Sequence, residues 1–489
     1  MEVAISAISG EILSRFISFL VKKHTDQVCL EDQLERLQHL LLRVHTVVEE
    51  SEGRYITNSR MLVKLGMLVD AMYQGYHVLD TFRYKPHEEI PLQQQVRDSC
   101  DTSCADRSKS IRAVSNSMRI STSANHELQA ALRNLESVVA NMTEFVILLG
   151  GCKQMPKRPY DTYLYTDNFM FSRLVEKQHI INVLLEDNSP HGSLVVLPII
   201  GGYRVGKKSL VGYACNDNMV RSYFSSVLHL NSDNFWKVSH ETFNPGRILV
   251  LIEFISDVDD NEWFRFYSAA SRTGTGSKVV IISRFQEIAR FGTVKPICLR
   301  SLSQAEFLYL FKVLAFGSTD PENHPQLASI GMKIALLLKG LLVVGNTLAD
   351  LLRKNQNVQF WFDMLKRLRN SIERNFSNFG EHPKQLLERD QQTDITMLIS
   401  PSSSPLHVMP SHDESNYGRN ELFKMKFGDL IEGSTTIPQK EEFQMIVWES
   451  RIPPFTKFVT NCIQDKHPCT SSYNKRRRKL YPMTSSYLC

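Results

Sequence analysis

The residues best suited to chemistry lie in one short run, Gly201-Gly202-Tyr203-Arg204-Val205-Gly206-Lys207-Lys208-Ser209. Through Lys207 it fits the phosphate-loop spacing G-x-x-x-x-G-K. Gly201 and Gly206 let the backbone turn tightly, so successive amide N–H groups point inward at phosphate oxygens. A helix starting near Lys207 offers the positive end of its dipole, and the Lys207 ammonium would meet the outer phosphates. The spacing therefore predicts a nucleotide site built from Gly201, Gly202, Arg204, Val205, Gly206, Lys207, Lys208 and Ser209. Position 208 departs from the pattern. An active loop carries Ser or Thr there, and its hydroxyl holds Mg²⁺. Lys208 has no such oxygen. Ser209 comes one residue late and, on a helix, points about 100° away. Arg204 is also bulky for a loop with little room.

The strand Leu249-Val250-Leu251-Ile252-Glu253-Phe254 is placed to supply the acid that works with such a loop. Its first acidic position is taken by Ile252, and only Glu253 remains. Alternation along a strand sends these two side chains to opposite sides, so Glu253 is not a simple substitute. With both magnesium-handling groups altered, the expectation is weak or metal-independent binding of ADP or ATP, little or no hydrolysis, and a doubtful role for Mg²⁺. The opposing reading is an ordinary strand-helix turn that binds nothing. Arg284 ends the strand Ser277–Ser283, at the edge where open α/β sheets place ligands, and is a candidate phosphate sensor. Cys100 and Cys104 have no second Cys/His pair at zinc spacing, so no metal site is expected. No Ser/His/Asp or Cys/His arrangement points to a catalytic residue.

Elements that position these groups follow from hydrophobic periodicity. Leu30, Leu34, Leu37, Leu41, Val44 and Val48 step by 4, 3, 4, 3, 4, one stripe of a helix. Similar patterns predict helices over Ile5–Val21, Ser59–Arg83 and Asn125–Leu149, which together can cover each other's apolar faces as a bundle. Arg97–Ser123 is polar and reads as a long exposed connection, with room for a short helix within it. Gly150–Asp167 reads as a linker. Short apolar runs at Leu194–Ile200, Ser226–Leu230, Ile248–Phe254 and Val279–Ser283 alternate with helical patterns at Lys207–Cys215 and Asn261–Ala270. That alternation implies a parallel sheet between helices. Ser303–Arg369 is helical again. After Ile372 the signal weakens, Ser400–Asn420 has the composition of a disordered segment, and Phe443–Trp448 is one strand-like run.

Composition excludes several classes. The chain has 489 residues, 57 Lys+Arg against 52 Asp+Glu, and 42% hydrophobic residues. Those values exclude global disorder and low-complexity classes. A net charge of +5 over this length does not argue for a nucleic-acid partner. No apolar run is long enough for a transmembrane helix. Nine scattered cysteines, an odd count, read as reduced thiols of an intracellular protein.

Six motifs in order resemble a plant disease-resistance (NLR) protein of the coiled-coil NB-ARC class. Leu30–Glu50 and the helix ending Tyr76-His77-Val78-Leu79-Asp80 resemble its Rx-type N-terminal domain; only the Val-Leu-Asp end of that family's acidic patch is kept. Phe171-Ser172-Arg173, the loop at Gly201–Ser209, the strand Leu249–Phe254, Gly276-Ser277-Lys278 to Arg284, Leu299-Arg300-Ser301-Leu302 and Lys339-Gly340-Leu341-Leu342-Val343 resemble successive NB-ARC motifs. The resemblance implies an Rx-type four-helix coiled-coil domain (residues 1–150), a P-loop α/β NB-ARC core (168–300), a helical ARC-like subdomain (301–371) and a divergent, partly disordered tail with short strands (372–489). In fold class this is an α-helical bundle followed by a P-loop α/β domain with a helical extension and an irregular C-terminal tail. No M-H-D triplet or leucine-rich repeats are found, so the chain reads as a truncated member with degenerate motifs. The implied function is a defence-related protein that binds ADP or ATP, at most a vestigial ATPase. The alternative is a nucleotide-free adaptor or decoy acting through residues 1–150. The implied partners are a second copy or the N-terminal domains of other NLR proteins. The implied location is the cytoplasm, with Lys475–Lys479 a candidate nuclear signal.

Overall fold

A computed structural model describes residues 29–84, 107–155, 170–186, 194–238, 246–272, 276–399, 405–410, 425–438, 440–451 and 457–464, with 107–122 and 410 given by backbone alone. The expected helix Ile5–Val21, the pair Cys100 and Cys104, and Lys475–Lys479 lie outside the described residues.

The N-terminal module is helical. Helix α1 (residues 29–52) buries Leu37, Leu41, Val44 and Val48, the stripe read from the sequence. A short strand β1 (Arg54–Tyr55) leads to α2 (Ser59–Arg83), whose first turn is capped by Asn58 accepting from the Arg60 and Met61 N–H groups. Helix α3 (Arg107–Ala140) starts far earlier than apolar periodicity indicated. Most of Arg97–Ser123 is therefore helix rather than connection. The predicted Asn125–Leu149 helix is in fact two, because the chain breaks at Asn141-Met142 before α4 (Thr143–Gly150). Strand β2 (Lys153–Gln154) then pairs antiparallel with β1. Gly75 sits where α1, α2 and α3 meet. A Cβ there would lie 2.7 Å from Leu41 Cδ2 and 2.9 Å from Leu135 Cδ1.

The central module runs α5 (Leu174–Leu185), β3 (Val195–Gly201), α6 (Lys207–Cys215), α7 (Asn218–Tyr223), β4 (Ser226–Asn231), β5 (Ile248–Phe254), α8 (Asp260–Ala270), β6 (Lys278–Ser283) and β7 (Ile297–Leu299). Its strands form one parallel sheet in the order β4-β5-β6-β3-β7. Alternate residues serve two cores. Leu197, Ile199, Leu249, Leu251, Val280 and Ile282 pack on one face. Val196, Ile200, Val250, Ile252, Val279 and Ile281 pack on the other. A sheet covered on both faces needs continuous apolar runs, which is why these strands read clearly from sequence. The three-residue β7 was too short to read.

The third module begins with α9 (Gln304–Phe316), α10 (Pro325–Leu338), α11 (Leu342–Lys354) and α12 (Val358–Phe379). A boundary at 371 therefore falls inside α12. The chain continues through α13 (Pro383–Glu388), β8 (Thr393–Asp394), α14 (Thr396–Ile399), β9 (Leu406–Pro410), α15 (Phe427–Glu432), β10 (Glu442–Glu449) and β11 (Lys457–Gln464). These strands form an antiparallel sheet in the order β10-β11-β9-β8. The segment Ser400–Asn420, expected to be disordered, thus contains strand β9. Leu406, Phe443, Met445 and Cys462 share one core with Trp361, Leu348 and Phe311 of the helices, so the sheet is integral to this module.

Adding one methyl group at Gly75 forces two packed leucines apart. We expect Gly75→Ala to destabilise the helical module by about 1–3 kcal/mol. Urea unfolding of the full chain, followed by exchange of α1 and α2 amides, reads this. Unchanged protection would show that the three helices do not close on this position.

Candidate functional site

The parallel sheet brings the loop after β3, Glu253 of β5 and Arg284 after β6 to one edge, the carboxyl ends of its strands. Gly201 closes β3 against β7. A Cβ on it would come within 2.7 Å of the Leu299 carbonyl oxygen, a backbone atom that cannot yield. Gly206 adopts a φ of 90° and caps α6, a conformation open to glycine at little cost. The first intrahelical bond of α6 runs from the Leu210 N–H to the Gly206 carbonyl. The N–H groups just before it have no intrahelical acceptor and present a dipole end to an anion. Lys207 Nζ donates to the carbonyls of Gly201 and Gly202, each at 2.8 Å. An arriving phosphate would compete with those two oxygens for the ammonium.

Arg204 does not crowd the loop. Its backbone holds a left-handed φ of 49°. Its guanidinium stacks on Tyr203, 4.8 Å from the ring centre, lies 5.9 Å from the Phe458 ring centre, and donates to the Val459 carbonyl at 3.2 Å. The loop is thereby pinned to β11. Val205 is buried beneath it, and Gly202 is exposed.

Lys208 and Glu253 meet. Lys208 Nζ lies 2.8 Å from Glu253 Oε2. Ile252 and Glu253 diverge as strand alternation predicts, since Ile252 is fully buried in the sheet core. Glu253 therefore reaches the loop, where Lys208 is its partner. Glutamate is long enough to cross from β5 to the start of α6, and an unlike charge waits there.

Arg284 is at the predicted edge, but its Nη1 is paired with Asp390 Oδ2 at 2.5 Å, and its guanidinium lies 5.1 Å from the centre of the Phe285 ring. The structure thus gives it an acidic partner in the chain after α13. It does not bring Arg284 into contact with Gly201–Ser209.

Of the wall that faces the loop, Phe171 and Leu342 lie in segments with a recognisable motif, whereas Trp448 and Phe458 carry none. A cavity of about 130 Å³ lies between Val205, Gly206 and Ser209 on one side and Leu342, Trp448 and Phe458 on the other. Phe171 lines it too, and Arg173, Arg204 and Arg451 add charged groups. A mostly apolar chamber with a few cations beside a phosphate loop has the chemistry to take a flat heterocycle joined to an anion. Divalent metal fits poorly. Lys208 is a cation at the position that needs a hydroxyl, Ile252 offers no oxygen, and Glu253 is engaged by Lys208.

A second junction joins the N-terminal helices to α9. Asp80, the surviving acid of the Val78-Leu79-Asp80 end, pairs with Lys312. Arg300 joins Asp70 at 2.7 Å, and Arg83 pairs with Glu322. Tyr73, Tyr76, Tyr309 and Phe171 pack around the same contact. Burial, reinforced by the Asp80 charge, pushes the Tyr76 phenol up to about 12.

Residues 10–112 match the family model of the Rx N-terminal domain. The chain carries an Rx N-terminal domain and is homologous to plant disease-resistance proteins. Disease resistance protein RGA2 of Solanum bulbocastanum is 22% identical over 392 residues, covering 72% of this chain and 37% of that protein. The RPP13-like protein 1 of Arabidopsis thaliana is 22% identical over 366 residues, covering 68% of this chain and 34% of its own length. The match thus spans about a third of the length of these two relatives. Among its described residues no helix is long and apolar enough to cross a membrane.

The pin between the loop and β11 is testable. Arg204→Ala removes the donor to Val459 and both ring contacts. Amide hydrogen exchange should rise across Lys457–Gln464 while β3 stays protected. Unchanged exchange in β11 would show that Arg204 does not hold the sheet to the loop.

Proposed function

We propose that this chain is a plant-immunity protein that binds ADP or ATP at Gly201–Ser209, with little or no hydrolysis. The homology to disease-resistance proteins supports the immune role. The observation that carries the nucleotide reading is the intact frame of the loop. Gly201 packs on β7, left-handed Gly206 caps α6, and Lys207 bonds to the loop carbonyls. The mostly apolar cavity beside it supports a place for the base next to the loop. Hydrolysis needs an acid to position water and a group to neutralise developing charge. Ile252 is not an acid, and Glu253 is held by a cation, so turnover is minimal. Arg284, tied to Asp390, enters this reading only as a residue near the sheet edge.

One feature favours a second reading, an adaptor acting through the N-terminal helices. Val63, Met67, Ile147 and Leu148 expose 63%, 59%, 71% and 46% of their surfaces. The Lys64–Glu144 ion pair ties α2 to α4 among them. A group of exposed apolar side chains of this kind suits a second helical domain.

The deciding experiment purifies the full chain, denatures it, and identifies released nucleotide by chromatography. Bound ADP or ATP is expected, and Lys207→Ala should abolish it. An empty protein that also ignores added nucleotide would shift the function to the adaptor. In that case Ile147→Asp should abolish self-association measured by sedimentation, and unchanged sedimentation would count against the patch.

A further inference from the structure

A phosphate loop normally shares its ligand's charge with Mg²⁺, held between a hydroxyl at the start of the helix and a carboxylate on a neighbouring strand. Here the hydroxyl end is a lysine, and the strand has Ile252 in the first acidic position, leaving Glu253 as its carboxylate. The helix position carries Lys208, and the strand end carries Glu253 with its carboxylate 2.8 Å from the ammonium. The two side chains are each about one-third exposed, so the pair lies at the mouth of the site rather than within the core. Strand β6 lies between β3 and β5 in the sheet, so the ion pair crosses the carboxyl edge of β6. A positive charge thus sits between the start of α6 and the end of β5, fixed covalently to the chain.

We propose that the Lys208 ammonium, stored on Glu253, takes the place of the metal, so that this site selects metal-free nucleotide. The inference rests on the nucleotide reading above and specifies the ionic form of the ligand. Lys207 and Lys208 then supply two ammonium groups to one diphosphate. The dipole end of α6 adds to them. An incoming phosphate shares Lys208 with Glu253, much as it would share a metal with an acid. A nucleotide that arrives with its own Mg²⁺ meets a like charge where the ion would sit, and Glu253 is already neutralised by Lys208. The pairing also gives Glu253 a role although Ile252 offers no oxygen. Its charge now holds the lysine rather than a metal.

The full-length chain, stripped of nucleotide, is titrated calorimetrically with ADP in EDTA and again in excess Mg²⁺. Binding in EDTA should be at least as tight as in Mg²⁺. Lys208→Thr restores a hydroxyl and removes the ammonium. It should weaken binding in EDTA by roughly 10- to 100-fold, the size of one hydrogen bond to a charged group. Glu253→Gln removes the carboxylate that competes for the ammonium and should leave binding as tight or tighter. Thermal unfolding of both variants reports whether they fold. Binding by the natural chain that requires Mg²⁺ would overturn the inference while leaving the nucleotide reading intact. So would a folded Lys208→Thr chain that binds as tightly in EDTA, or Glu253→Gln binding that falls. Failure of the natural chain to bind in either buffer would overturn the nucleotide reading itself, and this inference with it.

Discussion

The junction of the three modules depends on one buried carboxylate. Glu306 is 1% exposed. It accepts from the Ser303 N–H as half of the capping box that starts α9. It also accepts from Ser172 Oγ, in the segment that enters α5, and from Arg300 Nη1 after β7. Arg300 in turn reaches Asp70 of the N-terminal helices. A carboxylate taken out of water must have its lone pairs satisfied or it destabilises the fold by several kcal/mol. Ser172 comes from one piece of chain, and Arg300 and Ser303 come from another, the short link between β7 and α9. Satisfying Glu306 therefore fixes how α9 leaves the sheet, how the chain enters α5, and how the N-terminal helices lie against both.

The cavity follows from that arrangement. Its floor is the loop after β3, its side is built from α9 and α11, and Phe171 borders it just before the Ser172 contact to Glu306. Neighbouring Arg173 donates to the Arg300 carbonyl at 2.6 Å, which ties the entry of α5 to the exit of β7. The remaining wall, Trp448 and Phe458, comes from the antiparallel sheet. It is held by Arg204, whose left-handed backbone is stabilised by two ring contacts and the Val459 carbonyl. A residue in that conformation is unfavourable by itself and persists where its surroundings over-determine it. The loop and the sheet therefore share a single strained residue.

Much of this was legible in the sequence, for a physical reason. Strands buried on both faces must be continuously apolar, and the loop glycines are sterically required, so β3, β5, β6 and α6 stand within a residue or two of their expected limits. The Leu30-to-Val48 stripe is visible because one face of α1 meets a core. Helix α3 starts earlier than expected because its first half is dominated by Ser, Arg and Asn, with only Ile111, Val114 and Met118 at helical spacing. The C-terminal sheet was hidden by non-local pairing. Strand β9 is five residues long and pairs with β11 some fifty residues later, a register that no local pattern specifies. Strand β10 does alternate, burying Phe443, Met445 and Val447, and that run alone was recognised. Arg284 was placed correctly at the sheet edge, but its partner Asp390 lies more than a hundred residues away and carried no motif.

The same distinction explains the site itself. Position 208 reads as a loss when the loop is taken alone, and Ile252 reads as a second loss when the strand is taken alone. The contact between Lys208 and Glu253 joins the two. A lysine at the start of a helix is unfavourable beside the positive dipole end, and the phosphate loop already carries Lys207. A carboxylate nearby offsets both repulsions. Glu253 is the residue that the strand's alternation turns toward the loop once Ile252 takes the core side. The charge balance of the loop is therefore set by a residue on another strand, which is why the loop's chemistry cannot be read from its own nine residues.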